Sequence, residues 1–260
     1  RSTVRMTGAA KNTVIKLLRD VGRVCESYQN KVMVNLSCKR IQVDEIWSFC
    51  YAKKRNVPPE FYGKFGYGDV WTWVAMDADT KLVPAWLVGG RDADWADMFM
   101  QDLAGRLKNR VQLTTDGHHA YLKAVLNAFG NDIDYATLVK LYGKEEDIFD
   151  RHYSPNSEVV GCQLAVIRGN PDTRYISTSY VERQNLTMRM SMRRMTRLTN
   201  GFSKKVENLH YAVALHFMYY NFCRIHSSLR VTPAMEAGLS DRLWEIEDIV
   251  GLLENYEGPN

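Results

Sequence analysis

Three carboxylates stand where acidic side chains need a reason, and together they could hold a hard divalent cation. Asp44 lies inside the apolar run Ile41-Gln-Val-Asp-Glu-Ile-Trp-Ser-Phe. Aspartate is disfavoured in strands, and a buried carboxylate is costly unless something positive pairs with it. Asp116 directly follows the short apolar run Val111–Thr115, and Glu182 stands in Ser177-Thr-Ser-Tyr-Val-Glu-Arg-Gln-Asn. Each has an ordinary explanation as well. Asp44 could sit at a water-exposed sheet edge, Asp116 could cap or turn the chain before Gly117, and Ser179-x-x-Glu182 fits a capping box. Their joint placement points further, to Mg²⁺, which takes oxygen ligands and keeps positions open for water and phosphate. Two such ions about 4 Å apart stabilise both the attacking and the leaving oxygen of an in-line displacement. Without a cation, three convergent carboxylates would repel one another and raise their pKa values.

Other candidates are weaker. His118 and His119 could act as bases, but a histidine at a helix start beside a carboxylate is the plainer reading. Asp77 and Asp79 read as turn residues, Trp47, Trp71 and Trp73 as core, and Arg224 and His226 as structural or DNA-proximal. The five cysteines (Cys25, Cys38, Cys50, Cys162, Cys223) are odd in number and scattered. A disulfide framework, a zinc knuckle and a cysteine nucleophile are therefore not expected, and a reducing cytosol is.

The elements that must position the carboxylates follow from periodicity. Ile41–Tyr51, Val70–Met76, Leu82–Val88, Val111–Thr115 and Tyr135–Tyr142 read as strands. On the first, alternation puts Ile46 and Ser48 on the face of Asp44, and Val43, Glu45, Trp47 and Phe49 on the other. Ala93–Leu107, His118–Ala128, Tyr180–Leu198 and Val206–Phe222 read as helices, with a short one near Leu243–Leu253. Ala52–Gly68 reads as a loop, and Gly143–Ile176 as an insertion or long loop. The expected class is α/β, a mixed sheet flanked by helices. Upstream, residues 1–23 read as a partial helix-turn-helix. Ser2–Thr7 is its first helix, Gly8 the turn, and Val14, Leu17, Leu18 and Val21 the apolar face of the second. Residues 24–40 read as a linker, 41–230 as the core and 231–260 as a C-terminal tail.

Charge is unevenly spread over the 260 residues and points to a polyanion. Residues 1–41 carry nine Lys/Arg against two acids, and residues 183–205 carry seven basic side chains and no acid. Such clusters bind polyanions by releasing counterions; the alternative is a pair of solvated helix faces. The candidates for DNA contact are Lys11, Asn12, Thr13 and Lys16 at the start of the second helix, where a recognition helix meets base edges and phosphates. Arg183, Asn185, Arg189, Arg193, Arg197, Lys204 and Lys205 are the others. Arg189, Arg193 and Arg197, spaced by four, would form a row on the helix face of Glu182. Hydrophobic residues make up 45% and charged residues 25%, which excludes a wholly disordered or collagenous chain. The most apolar stretch, Leu209–Cys223, is too short and too interrupted to cross a bilayer, so no membrane partner is expected. The chain begins at Arg1 rather than Met, which raises the expectation of a fragment.

Four motifs carry a resemblance. Val43-Asp-Glu-Ile-Trp-Ser-Phe, Leu113-Thr-Thr-Asp-Gly-His, Ser179-Tyr-Val-Glu-Arg-Gln-Asn and Tyr220-Asn-Phe-Cys-Arg-Ile-His-Ser-Ser-Leu, with Thr232-Pro-Ala beyond, resemble the DDE transposases of bacterial insertion sequences. The insertion-sequence-one family is the nearest likeness. The resemblance implies an RNase H-like core in which Asp44, Asp116 and Glu182 hold two Mg²⁺, or Mn²⁺. It implies metal-dependent cleavage at transposon ends and strand transfer into target DNA. It further implies a homo-oligomer when ends are synapsed and a cytoplasmic, nucleoid-associated location. Family members often carry an upstream zinc-binding module, which these residues lack. The rival expectations are another RNase H-like nuclease, such as a resolvase, and a non-catalytic helix-turn-helix regulator.

Overall fold

Alternation and helical spacing resolve into fourteen α and β elements among the described residues. The computed structural model of the protein describes residues 2–142 and 159–256. In chain order the elements are α1 (Ser2–Thr7), α2 (Lys11–Val32), β1 (Arg40–Cys50), β2 (Gly68–Asp77), β3 (Ala85–Gly89), α3 (Ala93–Arg106) and β4 (Val111–Thr115). They continue with α4 (His119–Phe129), β5 (Ile133–Tyr142), β6 (Val159–Arg168), α5 (Ser179–Ser191), α6 (Val206–Met218), α7 (Pro233–Glu236) and α8 (Ile246–Glu254). The chain divides into two compact units, one of Val34–Phe202 and one of Arg1–Met33 with Ser203–Asn260. Among the described residues no helix is long and apolar enough to cross a membrane.

The first unit is an α/β sheet unit. Its six strands run in the order β3-β2-β1-β4-β5-β6. β1 lies antiparallel to β2, with Ile41 opposite Asp77 and Cys50 opposite Gly68, and β2 lies antiparallel to β3. On the other side β4 is parallel to β1, β5 is parallel to β4, and β6 returns antiparallel to β5. A mixed sheet in this order, flanked by helices, is compatible with an RNase H-like fold. β1 is central because Ile41, Val43, Ile46, Trp47 and Phe49 are all buried, so both of its faces are covered. The parallel ladder between β1 and β4 spans only Arg40–Gln42 and Gln112–Thr114. Beyond it the two strands are no longer paired, and the opening lies level with Asp44 and Asp116.

Two expectations change in this unit. Gly143–Ile176, read as a loop, contains β6; Gly143–Glu158 lie outside the described residues. The reason is visible in Val159-Val-Gly-Cys-Gln-Leu-Ala-Val-Ile, a β-rich run whose side chains are largely exposed, so alternation left no mark. The helix expected over Tyr180–Leu198 ends at Ser191. The backbone extends at Met192 (φ −114°, ψ 104°) and turns through a 3₁₀ segment, Arg193–Met195, which buries Met195.

The second unit is helical. α2 packs along α6, and the approach is close enough at Gly22 that a Cβ there would collide with Tyr211. Residues 24–32, expected as linker, are the second half of α2, which buries Val24, Cys25 and Gln29. Polar Gln29 hid that stripe; its amide donates to the carbonyls of Cys25 (3.0 Å) and Ala214 (3.1 Å). Arg19 pairs with Glu207 (2.6 Å) and His210 meets Glu26 (2.9 Å) across the same seam. α6 passes into a π-helical turn, Tyr219–Cys223, so Val206–Phe222 is not one uniform helix. In the expected tail, Trp244 packs against Tyr28 (4.9 Å) and Phe222 (5.2 Å), which ties the segment before α8 to α2.

Candidate metal centre

The opening between β1 and β4 leads to a cavity of about 1080 Å³ in the sheet unit. Asp44, Glu45, Asp116 and Glu182 line it together with Lys140, Asn185, Arg189 and Arg197. Carboxylate oxygens of Asp44, Glu45 and Asp116 all lie within 4.8 Å of one another. Two of these residues are 72 positions apart in the chain, so the fold has brought them together. A donor set made only of oxygens at such spacing suits a hard divalent cation.

Each carboxylate is held. Asp44 accepts from the Glu45 backbone N–H (2.9 Å) and from the Asn185 amide (2.9 Å). Asp116 accepts from the His118 backbone N–H (2.9 Å), so it also makes the turn read for it from sequence. Glu45 accepts from Arg91 (2.5 Å) and from the Tyr121 hydroxyl (2.6 Å). Burial first, then the charges of Glu45 and Asp116, push the Asp44 carboxyl up to about 8. Burial followed by Glu45 raises that of Asp116 as well, and burial beside Glu45 holds the Tyr121 phenol well above its ordinary range. The rise is what like charges in a poorly solvated place produce, and a cation at the oxygens would reverse it.

Glu182 stands on the first turn of α5 and lines the cavity, outside the three-carboxylate group. The expected capping box does not form, because α5 starts with Thr178 at the cap. The Glu182 carboxylate instead accepts from the Thr178 hydroxyl (2.6 Å) and is paired with Lys140. Its negative charge still contributes to the rise at Asp44.

Glu45 is the acidic residue that sequence reasoning passed over. Alternation put it on the face away from Asp44, yet its carboxylate, held by Arg91 and Tyr121, lies within 4.8 Å of those of Asp44 and Asp116. Two consecutive acids in an otherwise apolar strand were the available signal.

The basic residues scatter more widely than expected. Arg189 and Arg197 both line the cavity, whereas Arg193 is exposed in the 3₁₀ segment; the straight row of three does not form because α5 ends before Arg193. Burial and the neighbouring Arg197 lower the Arg189 guanidinium to about 10, and Arg189 donates to the Met195 carbonyl (2.7 Å). Asn185, placed among the DNA contacts, is buried, and its amide donates to Asp44; its carbonyl oxygen has no partner. Arg183 is exposed on α5. Lys11, Asn12, Thr13 and Lys16 are exposed at the start of α2, where Lys16 pairs with Asp20 (2.6 Å). Lys204 and Lys205 are exposed just before α6. Trp73 is core as expected, but Trp71 lines the cavity, with the Arg91 guanidinium 4.5 Å from its ring.

No protein-family model matches the chain, and comparison with curated proteins likewise gives no match.

Proposed function

We propose that the chain is a metal-dependent DNA transposase of the DDE type, resembling the insertion-sequence-one family, with Asp44, Asp116 and Glu182 as its acidic triad. The observation that carries this reading is the meeting of Asp44 and Asp116 within 4.8 Å at the mouth between two parallel strands, in a cavity that Glu182 also lines. The donor chemistry fits Mg²⁺ or Mn²⁺, two ions in the reading preferred here. Asp44, Asp116 and Glu182 would hold the metal, and Glu45 would add charge. When bound, the ions supply polarisation of the scissile phosphate and a nucleophilic oxygen at neutral pH.

The chain's own residues supply the rest. Asn185 and the Glu45 N–H fix the Asp44 carboxylate, and Arg91 with Tyr121 fixes Glu45. Arg189 and Arg197, on the cavity wall, would take the DNA phosphates and set the register of the strand over the carboxylates. Lys140 holds Glu182 and would give it up as the metal enters. Positioning and charge stabilisation then carry both phosphoryl transfers, water attacking at the transposon end and the freed 3′-hydroxyl attacking target DNA. DNA is the partner, and synapsis of two ends requires a homo-oligomer.

The test is Mg²⁺- and Mn²⁺-dependent cleavage and joining, followed on labelled duplexes carrying the element's ends. Asp44→Ala, Asp116→Ala and Glu182→Ala should each lose about a hundredfold or more, the scale of several kcal/mol of transition-state stabilisation. Duplex binding should survive in all three. Full activity in any of them would remove that residue from the triad.

A further inference from the structure

We propose that the loop between β1 and β2, Tyr51–Tyr67, is a binding site for unpaired DNA, with Tyr62 and Phe65 as stacking platforms. The inference rests on the transposase reading for its partner and goes beyond it in naming the strand form and the residues. The loop carries Lys53, Lys54, Arg55 and Lys64 against one acid, Glu60, in a stretch that also holds five aromatic residues. Basic side chains interleaved with aromatic rings are what single strands require, because every base offers a π-face and every phosphate a charge.

The loop is packed inside and presented outside. Its inner rings form a cluster: Phe61 stacks on Tyr67 (4.3 Å, 3°), and Tyr51 packs against both (5.5 and 4.9 Å). Its backbone is closed by successive turns, with Asn56 N–H bonded to the Lys53 carbonyl (2.7 Å), Phe61 to Pro58 (2.9 Å), Tyr62 to Pro59 (3.1 Å) and Lys64 to Phe61 (3.1 Å). Gly63 takes φ +74°, a left-handed conformation that separates Tyr62 from Lys64 at the tip. On this frame Tyr62 is 62% exposed and Phe65 46%. Large rings so exposed on a scaffold that could have buried them favour a planar ligand, and preorganisation lowers the entropy lost when it binds.

Position supports the same partner. Phe65 packs on Trp95 (4.9 Å), and the Trp95 indole covers Gly89 and Gly90, where a Cβ would collide with it. The next residue is Arg91, which lines the metal cavity and lies over Trp71, another lining residue. From Trp71 and Arg91 at the cavity, a path of aromatic and cationic side chains thus leads through Trp95 to Phe65, in the same loop as Tyr62. A base freed from pairing beside the reacting phosphate would stack on that path.

The experiment uses the full chain in EDTA and reads anisotropy of a fluorescein-labelled 15-mer oligo-dT and of a duplex of equal length, each over a salt series. Tyr62→Ala should weaken oligo-dT binding about tenfold, with its salt slope unchanged, and duplex binding should change less than twofold. Tyr62→Phe, which keeps the ring, should bind like the parent. Lys54→Gln with Lys64→Gln should flatten the oligo-dT salt slope by about 0.7 per lost contact. Tyr62 is exposed, so its replacement leaves the fold intact; Phe65→Ala, which also uncovers Trp95, is the secondary variant. Duplex binding with oligo-dT affinity indifferent to Tyr62→Ala overturns this inference and leaves the transposase reading standing. Binding of neither DNA overturns both. The metal plays no part in the measurement, so a failed metal site cannot imitate either result.

Discussion

The seam between α2 and α6 in the helical unit and the carboxylate cluster in the sheet unit treat polar groups in opposite ways. In the helical unit, Arg19 meets Glu207, Glu26 meets His210, and the Gln29 amide finds two carbonyls. These groups are matched across the seam of α2 and α6. The sheet unit gathers Asp44, Glu45 and Asp116 within 4.8 Å and gives full pairing only to Glu45. Like charges held together by a fold are a destabilising arrangement that a bound cation can relieve. The difference separates a seam whose polar groups are paired from a cluster whose like charges a cation would relieve.

The largest effect that could break this comparison is the pH dependence of Asp44. Its folded pKa of about 8 lies above the ordinary carboxylate value, so between about pH 4 and 8 the folded state holds a proton that the unfolded state releases. Stability of the metal-free protein from this group is therefore full below pH 4 and falls as pH rises through 8. Asp44→Asn should remove that slope and raise the unfolding midpoint at pH 8, measured by urea denaturation without metal. A midpoint unchanged or lowered at pH 8 would mean that the cluster is not strained.

His216 should slope the other way. Burial, with help from Arg224, lowers its imidazole to about 4, and its Nε2 has no partner. The unfolded state then binds the extra proton between about pH 6.5 and 4, so this contribution is complete above 6.5 and lost as pH falls through 4. The full loss is about 3 kcal/mol at about 1.4 kcal/mol per pKa unit. His216→Leu should flatten the acid limb of the stability curve of the helical unit; an unchanged limb would place the acid sensitivity elsewhere.

The smallest effect concerns the cavity wall. Replacing Arg197 by Gln should reduce the slope of log affinity for duplex DNA against log salt by about 0.9, and replacing Arg193 by Gln should leave it unchanged. Equal effects would restore the continuous arginine row that the end of α5 at Ser191 breaks.

Much of the sheet unit was legible. β1, β2, β4 and β5 announce themselves as β-branched and aromatic runs, and Asp44 and Asp116 stand out because charge inside or directly after such runs is expensive. Glu45 was not legible, since strand alternation describes where a side chain starts and not where a long one ends. That its oxygens come within 4.8 Å of those of Asp44 and Asp116, just past the end of the pairing of β1 with β4 at Gln42 and Thr114, is a tertiary fact. β6 escaped for a related reason: an exposed strand leaves no burial pattern to read. The second half of α2 was hidden by Gln29, a polar residue in a core position that makes sense only once the Ala214 carbonyl is beside it. Met195 ended α5 early by burying itself, against a four-residue spacing that alone favoured a longer helix.

The central claim is that the carboxylate cluster receives a divalent cation, and calorimetric titration of the protein with Mn²⁺ and Mg²⁺ at pH 7 tests it most directly. Run in two buffers of different ionisation heat, it also counts protons. The cluster predicts saturable binding that releases protons, because Asp44 still holds one at this pH, and that strengthens as pH rises toward 8. Asp44→Asn and Asp116→Asn should each abolish it. Absence of binding to the parent protein, or binding indifferent to both substitutions, would contradict the account.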